Sequence, residues 1–185
     1  MSERNTVIRS MHDLGLAAWF GGSLMGAIGL NGAAAEARSP RERLSLSSVG
    51  WAKWAPVQAA AVVVHGIGGA GLILANKSRL RLQPESRVNT VVKLAITLAA
   101  AGTTAYSGLL GTRIAKHADE GGAGVTEPSA TASKELASAQ SQLRLLQWVN
   151  PLLTAVLIVL AAQQGEQQRP VAGILKGQLA GLLKR

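Results

Sequence analysis

Residues Leu14 to Ala35 read LGLAAWFGGSLMGAIGLNGAAA, and the stretch contains no charged side chain. About 20 apolar residues, each adding about 1.5 Å of helical rise, span the hydrocarbon of a bilayer. The stretch therefore predicts a transmembrane helix. Three further apolar blocks resemble it, at about residues 54–75, 94–112 and 145–162. We expect a single all-α domain over residues 1–185, an integral membrane antiparallel four-helix bundle.

Charged residues collect between these blocks instead of following one face of every helix, as they would in a soluble bundle. The net charge is +9, and the basic residues lie at the ends of apolar blocks, where anionic lipid headgroups would meet them. Aromatic residues make up only 3% of the chain, and no nucleic-acid-binding motif occurs, which argues against nucleic acid as a partner. The absence of cysteine excludes disulfides, thiolate nucleophiles, cysteine-ligated iron–sulfur clusters and covalently attached haem.

The connecting segments differ in character. Residues 113–141 form a polar loop, which Gly121, Gly122 and Pro128 predict to be flexible. The tail, residues 163–185, carries leucines spaced along one helical face, which fits either a short interfacial helix or a frayed end. The cationic start followed by an apolar run also fits a cleaved signal peptide, and a mature amino terminus near Glu36 would decide for cleavage.

The distribution of basic residues predicts the orientation. The amino terminus, the second loop and the tail together hold eleven of the 19 lysines and arginines. Loops rich in Lys and Arg stay in the cytoplasm, so we expect both termini on the cytoplasmic side of a bacterial plasma membrane. Trp51, Trp54 and Trp148 would then lie at the outer interface and Trp19 towards the inner one.

Small residues in two spans predict close helix packing, because helices in lipid associate through tight backbone approach and hydrogen bonds. They recur at helical intervals in the first and third spans, and Gly22 and Gly26 form a GxxxG pair. Packing within the chain is the expected use, and homodimerisation is the alternative. The predicted packing glycines are Gly15, Gly22, Gly26, Gly29, Gly108 and Gly111.

Polar residues inside the spans predict a seam in the bundle interior, since polar groups are expensive in the hydrocarbon and face inward. The seam residues are Gln58, His65, Thr97, Thr104, Asn150 and Thr154. His65 is either a neutral, hydrogen-bonded interior histidine or a ligand for a metal or haem, or part of a proton relay.

A bis-histidine site for haem b would need His12 beside His65. If the first span begins at Leu14, His12 lies at the membrane edge, whereas His65 lies about ten residues, or about 15 Å, from either end of its span. That depth difference predicts that the two histidines cannot share one haem. His117, beside Asp119 and Glu120, fits a solvated surface cluster or a cation site.

The segment His12 to Gly22, HDLGLAAWFGG, has a histidine, six residues, a tryptophan, one residue and two glycines. It resembles the opening helix of copper-resistance D-like and related small four-helix bacterial membrane proteins of unassigned function. The resemblance covers His12, Trp19, Gly21 and Gly22. It implies a four-helix architecture and, through the copper-resistance proteins, copper handling.

No HExxH, GxSxG or Walker motif occurs, and no carboxylate lies inside a predicted span. We therefore expect a non-enzymatic accessory or structural subunit of a larger membrane complex, with the lipid bilayer and other proteins as partners and no resident cofactor. One alternative is a haem- or copper-handling protein that uses His65, with His12 in a separate site. The other is a small transporter or channel lined by the polar seam.

Overall fold

The computed structural model of the protein describes residues 5–77 and 84–167. Within these residues the chain forms four long helices, an all-α bundle. Helix α1 comprises Thr6–Met25, a π-helical turn at Gly26–Leu30 and a last turn at Asn31–Ala35. Helix α2 is Pro40–Ala75, α3 is Pro84–Lys116 and α4 is Lys134–Gln167. Helix α1 packs on α2 and α4, and α3 packs on the same two helices.

The helices begin earlier than the apolar blocks do. Helix α2 starts at Pro40 instead of about residue 54, and α3 starts at Pro84 instead of about residue 94. The start of α2 is fixed by its cap: Ser39 Oγ accepts the backbone N–H of Glu42 at 3.1 Å, and Pro40 occupies the first turn, where a missing N–H has no cost. Apolar composition marks only the part of a helix that suits lipid, so it underestimates the length of the helix. The predicted tail lies outside the described residues from residue 168 onwards.

Two clusters of buried apolar side chains hold the bundle together. One draws on all four helices and consists of Leu16, Trp19, Ala61, Ala100 and Leu157. The other lies towards the opposite end of α2 and consists of Leu44, Leu110, Ile114, Leu136 and Ala139.

The connection between α3 and α4 is packed against the bundle, contrary to the flexible loop that its composition predicts. It contains a 3₁₀ turn, Ala118–Glu120, and then Gly121 at φ 74°, a left-handed conformation that favours glycine. The N–H of Gly122 donates to the carbonyl of Pro40 at 3.2 Å. The fully buried Gln140 side chain donates to the carbonyl of Val125 at 3.0 Å. Local composition does not predict these hydrogen bonds, because they join residues that are not neighbours in the sequence.

Outside the two clusters the bundle surface is strongly apolar. Large side chains such as Leu98, Leu152 and Leu145 are more than half exposed. By length and composition, four described helices could cross a membrane: Thr6–Ala35, Pro40–Ala75, Arg87–Lys116 and Lys134–Gln163. A surface of this kind is unusual for a soluble protein and suits contact with lipid.

Candidate ligand-binding cavity

The candidate site begins with the close approach of α1 and α2. A Cβ atom at Gly15 would lie 2.6 Å from the backbone N of His65 and 2.7 Å from the carbonyl O of Ala61. A Cβ at Gly68 would collide in the same way with the backbone of His12. Because both positions are glycine, the two backbones meet directly, and this contact sets His12 beside His65.

The two imidazole rings are in contact. Their centroids are 4.2 Å apart and their planes are inclined by 38°. His65, only 3% exposed, places its Nδ1 2.9 Å from the backbone O of His12. The Nδ1 of His12 lies 2.9 Å from Oδ1 of Asp13.

The hydrogen-bond partners fix the tautomer of each neutral ring. A carbonyl oxygen and an ionised carboxylate only accept hydrogen bonds, so Nδ1 carries the proton in both His12 and His65. Each Nε2 then bears a lone pair. Among the described residues neither Nε2 has a hydrogen-bond partner.

Both histidines line a cavity of about 570 Å³ at the end of the bundle where α1 begins and α2 ends. All four helices contribute to its wall. Arg9, Asp13 and Lys93 supply charges, and Thr90 and Thr97 supply hydroxyls. Its apolar wall includes Leu16, Ala17, Leu72, Ile73, Leu94 and Ile158.

The sequence-based depth argument that separated His12 from His65 is therefore wrong. It placed the start of the first span at Leu14, whereas α1 begins at Thr6 and carries His12 well inside the helix. It also ignored the register of the α1–α2 hairpin. Because only residues 36–39 join the two helices, positions equally far from that connection lie opposite each other, and His12 and His65 are such a pair.

A hydrogen-bonded cluster crosses the bundle further along the helices. Asn150 Nδ2 donates to Thr104 Oγ1 at 2.8 Å and to Ser23 Oγ at 3.3 Å. Gln58 Nε2 donates to Ser23 Oγ at 3.2 Å, and Trp19 Nε1 donates to Thr104 Oγ1 at 3.0 Å. Three predicted seam residues, Gln58, Thr104 and Asn150, thus share one cluster to which each of the four helices contributes.

The other predicted seam residues lie apart from this cluster. Thr154 is fully buried, and its Oγ1 donates to the backbone O of Asn150 within the same helix at 2.9 Å. Thr97 and His65 line the cavity. The sequence did not single out Asn31, whose amide bonds Gln147, Ser47 and Trp51 in a second cluster. Asn31 is a polar residue inside a long apolar stretch, and that position is the feature of the sequence that could have identified it.

The tryptophans only partly match the predicted interface positions. Trp19 is completely buried, which contradicts its predicted place at the inner interface. Its indole N–H is satisfied by Thr104, so the ring can lie in the core. Trp51 and Trp54 lie against Gly26 and Gly22, whose missing side chains make room for the two indoles.

The remaining predicted packing glycines have no close neighbour on another helix. A Cβ at Gly29 would meet only Met25 of its own helix. At Gly108 and Gly111 it would meet no atom within 4 Å. The described contacts therefore support a packing role for Gly15, Gly22 and Gly26. They do not support one for Gly29, Gly108 or Gly111.

His117 belongs to a separate cluster in the α3–α4 connection. Its Nδ1 lies 2.7 Å from Oε1 of Glu120, and Glu120 Oε2 accepts the backbone N–H of Ser133 at 2.7 Å. The Ser133 N–H, followed by the His117 bond, holds the pKa of Glu120 below its ordinary value of 4.5. This carboxylate therefore stabilises the connection.

The site geometry limits which cofactors could bind. Two axial imidazoles of one haem iron stand about 6 Å apart between ring centres, since metal–imidazole bonds are about 2 Å long. The observed 4.2 Å leaves no place for iron between the rings, so these two residues do not form a bis-histidine haem site as arranged. Among the described residues no group of three or more His, Cys, Asp or Glu side chains could hold a metal ion.

Comparison with protein-family models, with curated proteins and with solved structures found no match for this chain. The resemblance to copper-resistance D-like proteins is therefore a hypothesis that rests on the residues of the first helix alone.

Proposed function

We propose that the protein is a membrane-embedded binding protein that holds a small molecule in the cavity beside His12 and His65. One observation carries this proposal: imidazoles from two helices bring Nε2 lone pairs, without a partner among the described residues, to one cavity of about 570 Å³. Cavities of about 300 to 1,000 Å³ accommodate small organic ligands. Interior polar atoms are normally hydrogen-bonded, so both Nε2 atoms are available to a donor on a ligand.

The proposed location is a bacterial plasma membrane with both termini in the cytoplasm. The apolar surface of the helices and the excess of basic residues at that end support this placement. The cavity then opens at the cytoplasmic side, because the first turns of α1 and the last turns of α2 line it.

The channel alternative has less support than binding. The side chains at the centre of the predicted seam bond one another, as Asn150 does with Thr104 and Ser23. Such a cluster joins helices and offers little to a passing solute. The accessory-subunit role stays a prediction that is compatible with a ligand site. Affinity purification in mild detergent tests it, and a protein that migrates only as a bare monomer would count against it.

The binding proposal is tested by filling the cavity. Gly69 lines it, and a Cβ there would lie 3.4 Å from Cδ2 of His12, an ordinary contact. Gly69→Leu should therefore occupy the space in front of His12. Native mass spectrometry of protein purified from membranes should show a small-molecule adduct in the wild type and its loss in Gly69→Leu.

Gly21→Leu is the matched control, because a Cβ at Gly21 meets no atom within 4 Å and the residue does not line the cavity. His12→Ala should also weaken the adduct, whereas His117→Ala should leave it unchanged. Equal adducts in wild type and in a folded Gly69→Leu variant would overturn the proposal.

A second candidate is a single metal ion bound by both Nε2 atoms, which differs from the copper-handling alternative because His12 and His65 would share one site. The hydrogen bonds at Nδ1 favour it, because histidine ligands of metals usually donate their other N–H to a carbonyl or carboxylate. Stoichiometric metal in the wild type that is lost in His12→Ala and kept in His117→Ala would support this candidate. Purified protein without metal, and with no uptake of added copper, would remove it.

A further inference from the structure

His12 and His65 present the same kind of hydrogen-bonding atom to the cavity. In each ring Nδ1 lies beside an acceptor, the Asp13 carboxylate for His12 and the His12 carbonyl for His65. The Nε2 atoms of the neutral rings are therefore acceptors, and in the part of the chain that the structure describes no donor bonds either of them. Because His65 is only 3% exposed and lines the cavity, a donor to its Nε2 has to come from a molecule in the cavity.

This pair of acceptors selects among the groups that a ligand could carry. A hydroxyl donates to a bare imidazole nitrogen, whereas carbonyl, ether and ester oxygens only accept and would face a second lone pair. Neither imidazole has an N–H left for such an oxygen, because both Nδ1–H groups are already bonded. A ligand hydroxyl is therefore favoured over the oxidised or alkylated form of the same group.

The rest of the cavity suits hydrocarbon. Its wall includes Leu16, Leu94 and Ile158. Leu94 is 48% and Ile158 is 36% exposed, and both belong to the apolar blocks of their helices. The wall therefore reaches the outer surface of the bundle where these helices are apolar enough to cross a membrane. At that depth lipid covers the surface, and the apolar part of a molecule dissolved in the bilayer has direct access to the wall.

We infer, on the basis of the proposed function, that the ligand is a hydroxyl-bearing amphiphile dissolved in the bilayer. Its hydroxyl groups donate to Nε2 of His12 and of His65, and its hydrocarbon lies along Leu16, Leu94 and Ile158. An isoprenoid hydroquinone and a diacylglycerol share this chemistry. The site discriminates each of them from its counterpart without a hydroxyl.

The test uses the full-length protein in phosphatidylcholine nanodiscs, since the headgroup of this lipid has no hydrogen-bond donor. The probes are an isoprenoid hydroquinone, its dimethyl ether with the same tail, and a diacylglycerol. The hydroquinone should bind at least about fivefold more tightly than its dimethyl ether, the effect of one hydrogen bond. Preference for the hydroquinone over the diacylglycerol identifies a ring-bearing ligand, and the reverse preference identifies a glyceride.

Nitrogen-15 NMR gives a direct readout, because the chain contains only three histidines. The resonance of a bare imidazole nitrogen moves to lower chemical shift when that nitrogen accepts a hydrogen bond. The Nε2 signals of His12 and His65 should move in this way with the hydroquinone and stay in place with the dimethyl ether. His117 is the internal control, since it lies in the α3–α4 connection and does not line the cavity.

Variants of His12 separate the acceptor from the shape of the ring. His12→Phe keeps a ring and removes the acceptor, so it should weaken hydroquinone binding about fivefold and leave binding of the dimethyl ether unchanged. His12→Gln offers an amide oxygen as acceptor and should weaken hydroquinone binding less than His12→Phe does. The comparison of the two probes on the wild type needs no variant to fold.

Equal binding of the hydroquinone and its dimethyl ether would overturn the hydroxyl assignment, as would an Nε2 that already carries a proton in the ligand-free protein. Equal binding of a hydroquinone without a tail would overturn the amphiphile. If Gly69→Leu displaces a molecule that has no hydroxyl, the proposed function stands and the assignment of the ligand falls. If no adduct depends on Gly69, both fall.

Discussion

The two hairpins of the bundle use glycine in opposite ways. In the α1–α2 hairpin, Gly15 and Gly68 stand where a Cβ would collide with the backbone of the other helix. In the α3–α4 hairpin, Gly108 and Gly111 face open space, and the helices meet through larger side chains such as Leu110 and Leu136. The same residue type at similar spacing thus belongs to an interhelical contact in one hairpin and to the outer surface in the other.

The difference shows that a stripe of small residues predicts a packing face only when the facing helix comes close enough to use it. The four-residue connection between α1 and α2 holds these helices together from their first facing turns. The longer connection of α3 and α4 is itself folded and packs on α2, so these helices pair through leucine side chains.

The largest expected effect comes from adding one methyl group to the first hairpin. Gly15→Ala would bring a Cβ within 2.7 Å of two backbone atoms of α2, which cannot yield as a side chain can. We expect a loss of about 3 kcal/mol in the free energy of unfolding, the upper part of the range for overpacking. Reversible unfolding in mixed micelles measures it.

Gly108→Ala adds the same methyl group to the second hairpin and serves as the control. Since the added Cβ meets nothing, the better helix propensity of alanine should stabilise the protein by up to about 1 kcal/mol. Equal effects of the two substitutions would show that the hairpins do not differ in the way described.

The fold itself was predictable because it depends on local composition. Four uncharged blocks separated by charged segments predict four antiparallel helices, and the structure confirms the all-α bundle. The pairing of side chains was harder to predict, because it depends on hairpin register. Register follows from where helices begin, and the cap at Ser39 and Pro40 lies well before the apolar block of α2.

The candidate site was predictable only in part. The sequence identifies His12 and His65 as candidate ligands but predicts different depths for them, because the apolar block begins at Leu14 whereas the helix begins at Thr6. Arg9 and Lys93 were counted only as flanking charges, since no local pattern shows that two such residues will line one cavity. Trp19 was misassigned because an amphipathic ring suits both an interface and a core with a hydrogen-bond partner.

A smaller effect is expected where the two hairpins are joined. Asn150 of α4 bonds Ser23 of α1 and Thr104 of α3, so it connects both hairpins. Asn150→Ala should destabilise the protein by about 1 kcal/mol, since interhelical hydrogen bonds in membranes average about 0.6 kcal/mol and two are lost. A double-mutant cycle with Ser23→Ala measures the coupling.

Thr103→Ala provides a comparison, because Thr103 Oγ1 donates only to the carbonyl of Ala99 in its own helix. Its loss should leave the coupling between hairpins unchanged. A coupling free energy of zero between Asn150 and Ser23 would show that this hydrogen bond does not join the hairpins.

The smallest effect concerns the connection of the second hairpin and appears only as a dependence on pH. Glu120 accepts the backbone N–H of Ser133 and bonds His117, and these bonds hold its pKa below the ordinary value of 4.5. A carboxyl group with a lowered folded-state pKa stabilises the fold fully above its unfolded pKa. That contribution is lost as the pH falls from about 5 through the lower, folded-state pKa.

Glu120→Gln should therefore reduce the decline of thermal stability between about pH 5 and pH 3. The helical structure of the bundle should stay the same. Asp119→Asn is the control, since in the described connection the hydrogen bonds to Ser133 and His117 come from Glu120 and not from this neighbouring carboxylate. If the Glu120→Gln variant keeps the full wild-type decline, a titrating group other than Glu120 causes the loss of stability in acid. The Ser133 contact would then hold the connection without depending on ionisation.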